Sequence, residues 1–285
     1  MKSYLKISLI SLLVLLFFIT ACKFSSKKYK TPEAYNLNEP EKFIMSGNLL
    51  EISGICFDKG RPDTVYAIQD EDGKLFRMAW GIKKNYHTKF GKKGDYEDVA
   101  IINEIVFVLK SDGTLFSFKK EATGQKEIEN AHEWKELLPP SEYEGMYADE
   151  AGQKLYILCK NCKEDDNDKK VSGYIFSIAG DSVMRSSGFS IDVTALHALT
   201  KKLKTGFRPS ALAKNPLTGE WFVLSGSNKL LVITDSAWKV KDVYPLNGNT
   251  FNQAEGIAFD AGGNLYISNE GDDGVNGNIL LFKRK

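Results

Sequence analysis

The sequence predicts an all-β protein, a β-propeller of five blades, or of six, whose ring is closed by an N-terminal strand. Three observations lead there. One phrase, a small residue opening an apolar strand that is followed by a turn and an alternating strand, recurs along the chain. Its recurrences are spaced like four-stranded blades. The 24 glycines and 12% aromatics suit a strand-rich chain with many tight turns.

The first element stands apart from the fold. In "MKSYLKISLISLLVLLFFITAC", Lys2 and Lys6 precede an apolar run from Ile7 to Ile19, about a dozen residues and too short to cross a bilayer. Ile19-Thr20-Ala21-Cys22 resembles the lipobox of bacterial lipoproteins. That resemblance implies cleavage before Cys22, acylation of its thiol and new amino terminus, and stable anchoring by several chains. The alternative is an ordinary secretory signal with an incidental cysteine. The expected organisation is a signal peptide over 1–21, a lipidated polar tether over 22–34 and one propeller domain over 35–285. The expected location is the bacterial cell envelope, anchored in the membrane through Cys22. Lys23 gives no inner-membrane retention signal of the aspartate type, which favours the outer membrane, facing the periplasm. With 38 basic and 37 acidic residues, a net charge of +1, no bulk charge draws the chain to nucleic acid.

Five segments carry the repeat: "ISGICFDKGRPDTVYAIQDEDGKLFRM", "YEDVAIINEIVFVLKSDGTLFSF", "YEGMYADEAGQKLYILCK" with "GYIFSI" after an insertion, "RPSALAKNPLTGEWFVLSGSNKLLVI" and "AEGIAFDAGGNLYISNEGDDGVNGNILLF". Their anchors Gly54, Asp98, Gly145, Ala211 and Gly256 lie 44, 47, 66 and 45 residues apart. The long interval holds a charged loop at 161–170 and, at 193–205, a stretch with Val193, Leu196, Leu199 and Leu203 at helical spacing. It reads as a short helix between blades or as part of a sixth blade. The last repeat has only three strands, so the segment around Lys42 to Ser46 is expected to supply its outer strand, removing the sheet edges. A β-sandwich would hold as many strands without explaining the repetition. Tyr66, Phe107, Tyr156, Phe222 and Tyr266 recur in second strands and read as packing between blades.

In a propeller the starts of first strands and the ends of second strands meet at one rim. The first column is Ser53, Glu97, Glu144, Ser210 and Glu255; the second is Asp70, Lys110, Lys160, Gly226 and Glu270. With Asp98 and Arg208 the channel mouth has six acids against three bases. Carboxylates converging on one axis repel unless neutralised. A hard divalent cation held by oxygen ligands, calcium first, would do this, with Glu97, Glu144 and Glu255 as ligands and Asn269 and Glu270 beside them. A hydrated acidic rim paired with Lys110, Lys160 and Arg208 is the alternative.

The phrases "ISGI", "YEGMYAD", "AEGIAFD" and "LYISNE" resemble those of the SdiA-regulated (YjiK-like) family of envelope propellers, from about Tyr35 to Phe282. The resemblance implies an envelope-associated propeller with calcium sites. More distantly, "EGI" followed by "LYISNE" is similar to pairs in β-propeller phytases, although Ser53 and Ser210 replace two of the five carboxylates.

Other chemistry has less support. Cys159 and Cys162 form a CxxC without a thioredoxin-like context, read as a local disulfide or two free thiols. Cys56 reads as a buried small hydrophobe. His87, His132 and His197 are scattered, and no G-x-S-x-G elbow occurs. The acidic loops at 69–74, 164–170 and 269–278 complete no EF-hand; the last is the best of them as a secondary metal site. The leading reading is an anchored propeller binding a divalent cation and a small ligand or protein partner at its mouth. The alternative is a metal-dependent hydrolase of phosphate esters or lactones, with Glu97 or Glu144 as general base and Lys110, Lys160 or Arg208 steadying negative charge. A third is a scaffold using its outer blade surfaces.

Overall fold

A computed structural model describes residues 28–180, 182–272 and 274–285. The segment expected as a signal peptide and Cys22 lie outside the described residues. Five four-stranded antiparallel sheets form the ring. Blade 1 contains β2 (Ile52–Phe57), β3 (Val65–Gln69), β4 (Lys74–Met78) and β5 (Tyr86–Lys89). Blade 2 contains β6 (Tyr96–Ile102), β7 (Ile105–Lys110), β8 (Leu115–Lys119) and β9 (His132–Trp134). Blade 3 contains β10 (Glu142–Asp149), β11 (Lys154–Asn161), β12 (Lys170–Ala179) and β13 (Ser182–Asp192). Blade 4 contains β14 (Ala211–Lys214), β15 (Trp221–Ser225), β16 (Leu230–Thr234) and β17 (Val240–Pro245). Blade 5 joins β18 (Ala254–Phe259), β19 (Leu265–Asn269) and β20 (Asn278–Phe282) to the N-terminal β1 (Glu41–Ile44), which pairs antiparallel with β20.

The expected closing strand is therefore in place. The long interval resolves into α1 (Val193–Leu199) and two unusually long outer strands, β12 and β13, with no sixth blade. Asp192 caps α1, its carboxylate accepting from the N–H groups of Thr194 and Ala195.

Each sheet is sandwiched between two others, so second strands are buried on both faces and read as near-continuous apolar runs, as in the buried run Val106–Leu109 of β7. The recurrent aromatics fill the wedges between blades: Tyr266 meets Phe57 across the 5–1 seam at 4.6 Å, and Tyr156 meets Trp221 across the 3–4 seam at 4.7 Å. Inner strands approach closely at the channel. A Cβ on Gly256 would lie 2.6 Å from the Ser53 carbonyl oxygen, and one on Gly145 would lie 3.0 Å from the Ala211 Cα. Below this layer is a cavity of about 70 Å³ lined by all five inner strands; Cys56, expected as a buried small hydrophobe, lines it and is partly exposed.

The stretch expected as tether is partly docked. The Tyr29 N–H donates to Asn38 Oδ1 and Lys30 Nζ stands 3.7 Å from Asp242. Tyr35, the first residue of the expected propeller domain, is buried and its hydroxyl donates to the Gly263 carbonyl. Among the described residues no helix is long and apolar enough to cross a membrane.

Candidate ligand site at the channel mouth

The inner strands β6, β10 and β18 break register at the same point. Tyr96 pairs with Lys110 but Asp98 with Leu109; Tyr143 pairs with Cys159 but Gly145 with Leu158; Ala254 pairs with Asn269 but Gly256 with Ser268. The skipped residues are Glu97, Glu144 and Glu255. A bulge frees one residue from the ladder and re-aims its side chain. Three blades thus use one device to turn one glutamate each toward the mouth.

These side chains act on one another. Glu144 is only 4% exposed and pairs with Lys160 Nζ. Burial raises the Glu144 carboxyl, opposed by Lys160. Burial, then the charges of Glu144 and Asp95, push Glu97 well above the carboxylate range. Burial and the charges of Glu144 and Glu270 push Glu255 up to about 8. Burial with Asp70 and Glu51 nearby brings Glu270 to about 7, and burial with Glu51 adjacent brings Asp70 to about 6. Burial works against the Lys160 charge, yet Glu144, Glu97 and Glu255 outweigh it and hold its pKa above the ordinary lysine value. The mouth has more acid than its own cations neutralise. Glu255 has no hydrogen bond or ion pair among the described residues.

Other residues assigned to the rim lie elsewhere. Lys110 turns to Asp112 at 3.2 Å. Arg208 lines a separate polar cleft of about 620 Å³ with Asp166, Asp168, Ser227 and Asn228. Asp98 sits below the rim, 4% exposed, accepting the N–H of Val99 at 2.8 Å and that of Met146 in the next blade at 2.7 Å. Burial raises its carboxyl against the pull of those two bonds. Asn269 is fully buried in the sheet, its amide donating to Asn278 Oδ1 at 3.1 Å. Ser53 and Ser210, standing where carboxylates would complete the ring, tie neighbouring blades instead. Their hydroxyls donate to the carbonyls of Glu97 at 2.7 Å and Ala254 at 2.8 Å.

The structure adds Glu51, Asp95 and Lys229, which the sequence reading missed. Glu51 and Asp95 each stand two residues before the first column, as do Arg208 and Gln253, so period-2 alternation was the available signal. Gln253 Nε2 donates to Glu270 at 2.6 Å, while burial lowers the pKa of Lys229, opposed by Glu255.

The sequence profile of the SdiA-regulated family matches residues 31–272. The chain belongs to the SdiA-regulated family. No curated protein matches the sequence. Solved structures similar to this SdiA-regulated propeller include Myxococcus xanthus glutaminyl cyclase, 12% identical with a TM-score of 0.56, covering 86% of this chain and 94% of that one. Another is the PQQ-bound aldose sugar dehydrogenase of Streptomyces coelicolor, 10% identical with a TM-score of 0.54, covering 90% and 100%. A streptogramin B lyase structure, 10% identical with a TM-score of 0.50, covers 91% and 100%. At such identities the likeness is one of fold, and the site of the SdiA-regulated chain has to be argued from its own residues.

Proposed function

We propose that the protein is an envelope-anchored binding propeller whose acidic mouth takes up a divalent cation, calcium by preference, and with it a small ligand or protein partner. One observation carries the reading: glutamates from three blades, Glu144 buried and Glu97 and Glu255 half-buried, are turned by equivalent bulges onto one mouth that has more acid than its own cations neutralise. The donor set is all oxygen, which suits a hard cation. Glu97, Glu144 and Glu255 would hold it, with Glu270 beside them, and bound calcium would supply positive charge to which an anionic or carbonyl group could attach. Among the described residues no three acidic, histidine or cysteine side chains stand grouped as a ready metal site. Lys160 already occupies Glu144, so the donor chemistry fits only if that lysine gives way.

The hydrolase reading draws less support. It needs cations beside the carboxylates to steady developing charge, and of Lys110, Lys160 and Arg208 only Lys160 stands there. Anchoring through Cys22 is supported by the lipobox-like sequence.

The test is calorimetric titration of the purified protein with calcium, alongside Glu97→Gln and Glu255→Gln. The expected outcome is binding at about one ion per chain that weakens at least tenfold in each variant. Equal affinity in the variants would move the cation off these residues. No binding in the parent would remove calcium from the proposal.

A further inference from the structure

Glu144 and Lys160 are both register extras. Glu142 pairs with Asn161 and Tyr143 with Cys159, so Lys160 is skipped on β11 just where Glu144 is skipped on β10. Two opposed breaks turn the two side chains toward each other. Lys160 is further held by a disulfide between Cys159 and Cys162, which spans it, and by Asn167 Nδ2, which donates to its carbonyl at 3.0 Å. Lys110, in the equivalent place on β7, pairs in register with Tyr96 and lacks such a brace. The chain thus fixes the backbone from which the Lys160 arm reaches the glutamates.

The partners differ in freedom. The Glu144 side chain is 5% exposed and that of Lys160 is 36% exposed. A lysine on a four-carbon arm can swing its ammonium into water, whereas the buried carboxylate cannot follow. Once the ammonium leaves, Glu144 is a buried carboxylate that has to take up a proton or another cation.

We propose that Lys160 is a resident counter-ion that sets the cation selectivity of the mouth, holding Glu144 until a divalent ion displaces it. This rests on the calcium reading above. A monovalent ion would merely exchange one unit charge for another and gain no charge over the tethered ammonium. A divalent ion brings a second charge, which Glu97 and Glu255 can share. Lys160 therefore lowers affinity for every cation and excludes the singly charged ones.

The experiment compares calcium and sodium binding in the parent, Lys160→Gln, Lys160→Met and Lys160→Arg, with Lys110→Gln as a control. Melting is followed in chelator and in calcium. The glutamine and methionine variants are expected to bind calcium at least tenfold more tightly than the parent. They should melt lower than the parent in chelator and recover in calcium. Arginine, with a guanidinium that pairs in bidentate fashion, should bind calcium no better than the parent, and Lys110→Gln should match the parent. A parent that binds calcium with Lys160→Gln and Lys160→Met no tighter would overturn the counter-ion role and leave the calcium reading intact. If neither parent nor variant binds, both fall. A silent parent with binding variants would uphold Lys160 as the occupant and remove calcium as the native ligand.

Discussion

At the scale of single residues the mouth is a problem in proton and cation balance. Glu255, at about 8 in the fold, has an unfolded value of about 4.3. Between those values the folded state holds a proton that the unfolded chain releases, so this group's contribution to stability falls as pH rises from about 4 to about 8. Glu270, at about 7, acts in the same direction. Glu255→Gln should flatten that slope and raise stability at pH 9 by roughly 1 to 3 kcal/mol, about 1.4 kcal/mol per pKa unit with allowance for solvent at the rim. Urea unfolding at pH 5 and pH 9 reads this, and an unchanged slope would mean that Glu255 is solvated in the native state. The glutamate column was legible because a repeat displays equivalent positions together. Lys110 and Lys160 were not distinguishable on that basis: they share a column, and only a register break and a disulfide set their directions.

The strand is the scale at which the repeated phrase acquires its meaning. A glutamate followed by glycine opens β10 and β18 because the first residue is extruded by the bulge while the second faces the next inner strand at the channel. Gly256→Ala would drive a methyl group into the Ser53 carbonyl. Separating blades 5 and 1 to admit it should cost about 1 to 3 kcal/mol, measurable as a lower urea midpoint, and a neutral result would mean that the channel is looser than this packing. The two blades that lack the glutamate use the position otherwise. Ser210→Ala removes the hydroxyl bonded to the Ala254 carbonyl, with an expected loss of about 1 kcal/mol. A sequence column cannot separate these uses, since a serine missing from an acid ring and a serine bridging two blades look the same until the neighbouring carbonyl is located. Asn269 shows the same limit: one residue along the strand exchanges the two faces of the sheet, and its amide donates to Asn278 inside the blade.

For the whole molecule, the ring was legible because its period, its three-stranded last repeat and its spare N-terminal strand agree. The docking of Tyr29 to Asn38 was not, because that stretch has no apolar periodicity and is joined by polar bonds, the Tyr29 N–H to Asn38 Oδ1 and Asn38 Nδ2 to the Tyr29 carbonyl, which leave no pattern in a sequence. Cys22→Ser should move the protein from the membrane fraction to the soluble one, and loss of the corresponding acyl mass on the mature N-terminal peptide checks the anchor directly. Closure can be tested separately. β1 gives β20 its outer neighbour through Glu41 to Ile44, and Tyr35 ties the same segment to blades 4 and 5 through Gly263 and Asn215. A chain beginning at Gly47 would lose both, exposing the buried Asn278–Phe282 strand as an apolar edge. Such an edge pairs with another copy, so the shortened protein should elute as oligomers and lose its single cooperative melt. A monomer with the parent's melting temperature would show that three strands suffice for blade 5 and that the N-terminal segment adds nothing to the stability of the ring.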